Sequence, residues 1–228
     1  MMKKLKLWGT LVLLLAVVLG GLYGWWALDL RWRPKTIVKH QAEITRILEG
    51  SGWVSPGGSG KTLYMVSFRA CPDCLRYETE EFPKLHKAGV DTRVIVIARA
   101  DKNGVEHSTP AERATVAELW VNRKWSLLQS WLSVTPEAWT AKGIPPADGD
   151  IARTSVVEAG RSAVEKLTPL LKDNGVNFAY PLLVWWTEDG EMHACACEAP
   201  QAYRKVTDAV NSAGMSLGMF MLCWFYGR

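Results

Sequence analysis

The stretch TLYMVSFRACPDCLRYE, Thr62 to Glu78, carries an apolar run straight into two cysteines three residues apart. Thr62 to Phe68 reads as a buried strand, being short and rich in apolar residues. Cys71 follows at once, and Pro72 suits the first position of a helix because it has no N–H to leave unpaired. That helix is predicted from Pro72 to about Lys87, with Leu75, Phe82 and Leu85 as apolar positions and Gly89 beyond its end. Asp91 to Ala98, DTRVIVIA, is a second strand, nearly continuous in apolar residues as in a covered parallel sheet. Strand, crossover helix and strand make a right-handed βαβ unit.

A cysteine at such a junction meets unpaired backbone N–H groups and the positive end of the helix dipole, and both favour thiolate over thiol. The Cys71 thiol is therefore expected to ionise within the range of about 3.5–7.5 found at such sites. Cys74, one turn on, can attack a mixed disulfide at Cys71, so the spacing supplies a nucleophile and a resolving thiol. Asp73 works against the thiolate and Arg69 works for it. The pair is expected to be less oxidising than one with a basic residue at position 73.

Further along, Ala111 to Leu132 has a helical stripe of Val116, Leu119, Trp120, Leu127, Leu128 and Trp131, read as core packing. Ile151 to Asp173 is another helical pattern, closed by Gly175. YPLLVWWTEDGEMHACAC reads as a hairpin turning at Asp189-Gly190. A two-residue turn would set Leu182 opposite Cys197, Val184 opposite Cys195 and Pro181 almost opposite Cys197. A last helix follows, with Pro200 near its start and Gly214 beyond its end.

Cys195 and Cys197 form a second pair. Strand rise sets them about 6.6 Å apart at Cα, near the edge of disulfide geometry, so a bond between them would be strained and easily reduced. Three readings stand: two small buried residues, a second redox pair for Cys71, or a metal set with His193 and Cys71 or Cys74. The first two are preferred, and no metal is expected. Cys223 is read as apolar filler.

The 228 residues suit one sizeable domain with extras. With 48% hydrophobic and 22% charged residues the chain is globular. A net charge of +4 with scattered basic residues gives no argument for nucleic acid. Gly60-Lys61-Thr62 resembles the end of a phosphate loop, but Ser55 replaces the leading glycine and a strand follows instead of a helix.

The N-terminus opens with Lys3, Lys4 and Lys6 and then has no charge until Asp29. Leu7 to Leu28 would span about 30 Å as a helix. Trp8, Tyr23, Trp25 and Trp26 suit the two interfaces. We read an uncleaved membrane anchor in preference to a signal peptide, and export makes disulfide chemistry the natural use of the cysteines.

FRACPDC, Pro83 within the first helix, TRVIVIA, the helical insertion and NFAYPLLVW together resemble the thioredoxin superfamily over about Lys61 to Ala213. Within it they look most like the exported disulfide isomerase and reductase group, the DsbC and DsbG proteins. The resemblance implies a thioredoxin-like α/β fold with a helical insertion between the βαβ unit and a C-terminal ββα unit. It implies that Pro181 is the cis-proline beside Cys71 and that the Tyr180 backbone pairs with a bound substrate strand. Pro72 and Asp73 would border the same groove. Three departures are visible. Met65 stands where thioredoxins often carry a buried acid, so proton transfer to Cys74 must use another group or water. Tyr180 is bulkier than the usual Thr or Val. Only some thirty residues separate anchor from domain, where the isomerases carry a dimerisation domain.

The expected organisation is an anchor over 1–30, a short helix and Gly/Ser linker over 31–60, a thioredoxin-like domain over 61–214 with its insertion at about 108–174, and a hydrophobic tail over 215–228. The expected activity is membrane-tethered thiol:disulfide exchange with exported protein substrates, on the periplasmic side of an inner membrane. It would need no organic cofactor and would use a partner dithiol protein. The alternatives are a non-catalytic assembly or secretion module with a structural Cys71–Cys74 bridge, and a metal-delivery protein.

Overall fold

The computed structural model describes residues 2–28 and 30–212; the tail over 215–228, with Cys223, lies outside the described residues. The chain divides into two compact units, Met1–Arg33 and Pro34–Arg228. The first is a helix, α1 (Met2–Leu28), followed by a short 3-10 turn. The segment Leu13–Trp32 is long and apolar enough to cross a membrane. At its end the Trp32 indole N–H donates to the Ala27 carbonyl at 2.8 Å.

The second unit is built on a five-stranded sheet. Its strands are β1 (Lys35–Ile37), β2 (Thr62–Ser67), β3 (Asp91–Val96), β4 (Leu182–Trp186) and β5 (Met192–Ala196). Their order is β1-β5-β4-β2-β3. β2 and β3 are parallel, while β4 runs antiparallel to both β2 and β5, and β1 antiparallel to β5. The helices are α2 (Gln41–Gly50), α3 (Pro72–Lys87), α4 (Pro110–Asn122), α5 (Trp125–Leu132), α6 (Ile151–Lys172) and α7 (Pro200–Ser212). The βαβ unit β2-α3-β3 followed by the hairpin β4-β5 and α7 is the thioredoxin-like arrangement, with α4 to α6 inserted between the halves.

Alternation along the strands makes two faces. Tyr64, Val66, Leu182, Val184, Met192 and Ala194 join Ile44 and Leu48 of α2 and Leu167 and Leu171 of α6 in one core cluster. The odd-numbered residues of β2, β4 and β5, among them Met65, Leu183, Trp185 and Cys195, turn to the opposite face. There α3 and α7 pack on each other, with the Tyr77 and Tyr203 rings edge to face at 5.2 Å. Trp131 and Trp185 are fully buried, as the core reading of the tryptophans requires.

Three features differ from the sequence-based expectations. The short helix expected over Thr36 to Gly50 starts only at Gln41, and Ile37, expected on its apolar face, lies instead in β1, where it is fully buried and joins the same core as α2. The helical stripe from Ala111 to Leu132 is two helices, because Arg123 adopts the left-handed region at φ 51° and closes α4. Its guanidinium lies over the Trp53 ring at 4.6 Å and donates to the Ser51 carbonyl at 3.2 Å, contacts that favour the break.

The third difference is register. Thr187 and Glu191 pair across a three-residue loop, the Thr187 N–H donating to the Glu191 carbonyl at 2.9 Å. Gly190 takes φ +80° in that loop, as the left-handed position of a three-residue hairpin demands. The whole of β5 therefore shifts by one residue: Leu183, not Val184, faces Cys195, and Leu182 faces Ala196.

Candidate active site

β2 delivers the chain to the start of α3, where the Cys71 N–H donates to the Phe68 carbonyl at 3.2 Å. Cys71 is the N-cap, with extended backbone (φ −87°, ψ 107°), and Pro72 opens the helix. The Cys74 N–H donates to the Cys71 sulfur at 3.1 Å. One of the helix's otherwise unpaired donors is thus aimed at the sulfur that would carry negative charge on reduction. Cys71 and Cys74 are joined as a disulfide with Cα atoms 5.2 Å apart. Both are deeply covered, at 2% and 1% exposure, while Pro72 is exposed beside them.

Asp73 is half-buried and held from α7: the Tyr203 hydroxyl is 3.1 Å from the Asp73 carbonyl oxygen and 3.2 Å from its carboxylate. Arg69, expected to favour a thiolate, is instead committed to the insertion. Its guanidinium donates to the Trp131 carbonyl at 3.0 Å and to the Val134 carbonyl.

The Tyr180–Pro181 peptide bond is cis. Val66 pairs with Leu182, so one step further Pro181 stands level with Ser67, at the end of β2 that leads to Cys71. Tyr180 is half-buried, its ring edge to face with Phe68 and with Phe178, each at 5.0 Å. The Arg99 guanidinium lies over the other partner's ring, Phe68, at 3.9 Å. Burial pushes the Tyr180 hydroxyl up to about 12, with Arg99 opposing, so it stays a neutral donor at physiological pH.

The second pair is also bonded, Cys195 to Cys197, with Cα atoms 5.2 Å apart. The shifted register brings it closer to the site than the two-residue turn would have done. Pro181 now lies directly opposite Cys197, whose N–H donates to the Pro181 carbonyl at 2.9 Å. Cys197 is fully buried and Cys195 is 8% exposed. The His193 ring is stacked on Trp185 at 5.6 Å, with its nitrogens 3.4 Å from the Thr36 hydroxyl and 3.6 Å from Glu191. Among the described residues no group of three or more His, Cys, Asp or Glu side chains is arranged to hold a metal.

Two residues escaped the sequence reading. Glu78 lies four residues after Cys74, on the same helical face. Burial pushes its carboxyl up to about 8, with the Arg69 charge pulling the other way. The acid was legible in the opening stretch, since i and i+4 share a face. Tyr203 had no such signal, because its contact with Asp73 spans 130 residues.

No protein-family model and no curated protein sequence matches the chain. Among solved structures it is similar to oxidised BdbD from Bacillus subtilis, at 16% identity and a TM-score of 0.41, over 73% of this chain and 94% of that one. It is similar to the catalytic domain of Proteus mirabilis ScsC, at 14% identity and 0.45, over 75% and 95%. It is also similar to MdbA, a thiol-disulfide oxidoreductase from Corynebacterium diphtheriae, at 14% and 0.36, over 68% and 83%. At such identities and scores, the chemistry has to be decided by this chain's own residues.

Proposed function

We propose that this thioredoxin-fold chain is a thiol:disulfide oxidoreductase tethered to a membrane by α1, with its main domain in an exported compartment such as the periplasm. The observation that carries the reading is the helix-mouth geometry of the dithiol, with a backbone amide directed at the Cys71 sulfur. In the reductive direction the Cys71 thiolate attacks one sulfur of a substrate disulfide. The other substrate sulfur leaves as a thiolate. The Cys74 thiolate then attacks Cys71, releases the bound substrate sulfur and forms the Cys71–Cys74 disulfide. Oxidation of a substrate dithiol is the reverse. The electrons stay on sulfur throughout, so no organic cofactor is required, and a partner dithiol protein resets the pair.

Glu78 is the group suited to take the Cys74 proton, being a neutral-range acid on the same helical face. Pro181 and Tyr180 would border an extended substrate segment, with Pro72 and Asp73 on the opposite side. Insulin reduction by the full chain in detergent tests the reading. Turnover that needs Cys71, and a covalent partner captured by Cys74→Ser, are the expected results; a chain inert in both tests refutes it.

The 2% exposure of Cys71 favours one other reading, a static bridge in a partner-binding module. A bridge that resists reduction by thioredoxin-strength dithiols and captures no partner would support that module.

A further inference from the structure

We infer that Cys195–Cys197 is a second redox centre that exchanges electrons with Cys71 and Cys74 inside the same chain. The inference rests on the reading of Cys71 as an attacking thiol. It starts from where the shifted β5 register leaves the two pairs. Pro181 lies between them: level with Ser67 on one side, and hydrogen-bonded to Cys197 at 2.9 Å on the other. Only β4 separates β2 from β5, so two strand spacings, about 10 Å, lie between their ends. Cys195 shares the face on which α3 and α7 pack. α7 begins three residues after Cys197, and its Tyr203 hydroxyl contacts Asp73 between the two catalytic cysteines. A bridge needs Cα atoms within about 6.8 Å, so the turn from Arg69 to Cys71 has to carry Cys71 to the end of β5.

Burial argues for an internal partner. Cys71 is 2% exposed and Cys197 fully buried, so the thiol best placed to meet either is one already inside the fold. Cys195 is the most exposed of the four, at 8%, which suits it to leave as a thiolate and collect a proton from water.

The exchange balances without an outside reagent. The Cys71 thiolate attacks the Cys197 sulfur, forming a Cys71–Cys197 bond and breaking Cys195–Cys197. Cys195 leaves as a thiolate and is protonated. The Cys74 thiolate then attacks Cys71, and Cys197 leaves and is protonated in turn. Two electrons and two protons have passed from the first pair to the second.

The test uses the wild-type full chain in detergent, given one molar equivalent of dithiothreitol, quenched by rapid alkylation and mapped by mass spectrometry. The expected result is that electrons reach Cys195 and Cys197 at a rate independent of protein concentration. A Cys74→Ser/Cys195→Ser chain under mild oxidation should accumulate an intramolecular Cys71–Cys197 bond. The inference is overturned if wild-type Cys195 and Cys197 stay bonded while Cys71 and Cys74 are fully reduced, or if transfer scales with protein concentration. Insulin reduction by the same wild-type preparation separates the two claims. Turnover without internal transfer defeats only the relay, and internal transfer without turnover defeats only the substrate reading.

Discussion

The two disulfides have the same Cα separation, 5.2 Å, yet sit in opposite backbone surroundings. Cys71 caps a helix, where the first amides have no carbonyl to bond, and the Cys74 N–H turns to the sulfur. Cys197 directly follows β5, and its own N–H is taken by the Pro181 carbonyl. Similar sulfur spacing therefore gives different chemistry: the helix pair has a backbone donor ready for a thiolate, and the strand pair has spent its donor on the sheet. The helix pair suits attack, and the strand pair suits being attacked.

That contrast can be broken most severely at Cys71. Cys71→Ser should reduce insulin turnover to the uncatalysed rate, whereas Cys74→Ser should stop turnover but accumulate adducts on Cys71. Equal behaviour of the two variants would erase the distinction between attacking and resolving sulfurs. The next largest effect belongs to the strand side. Ile37→Ala removes a fully buried side chain of β1, the strand that covers the β5 edge. It should cost about 2–5 kcal/mol in chemical denaturation, and an unchanged midpoint would show that β1 does not support β5.

A smaller effect sharpens the helix side. Asp73→His replaces a carboxylate between the cysteines with a group that favours the neighbouring thiolate, stabilising the reduced pair. The Cys71–Cys74 potential should rise by about 30 mV or more, the equivalent of tenfold in the exchange constant. A redox titration in which it stays put or falls contradicts the electrostatic account.

The last prediction concerns Glu78, whose carboxyl burial pushes up to about 8 from an ordinary 4.5. Between those values the unfolded chain has lost this proton and the folded chain keeps it. The stability contribution is therefore greatest at low pH, declines as pH rises from about 4.5 to 8, and levels off above. Glu78→Gln should flatten that decline in urea melts across pH 5 to 8. An identical slope in both proteins would show that the carboxyl is not buried.

Much of the helix side was legible from the chain. The apolar run into Cys71, Pro72 at the helix start and the covered strand after Gly89 are local signals, and each corresponds to an element of the fold. The strand side was harder to read. β1 is three residues long with one buried side chain, too short to display a period. The hairpin register turned on whether Gly190 closes a two- or a three-residue loop, and a one-residue slip moves every side chain in β5 to a different partner. The break between α4 and α5 falls at Arg123, with neither Gly nor Pro to announce it. It depends on Trp53 and Ser51, some seventy residues earlier.

The most direct test of the central claim is to map glutathione adducts on two single variants of the reduced full chain. Exposed to oxidised glutathione, Cys74→Ser should carry the adduct on Cys71, formed at least about ten times faster than any adduct on Cys74 in the Cys71→Ser chain. Comparable rates at the two sulfurs, or a faster reaction at Cys74, would contradict the assignment of Cys71 as the attacking thiol.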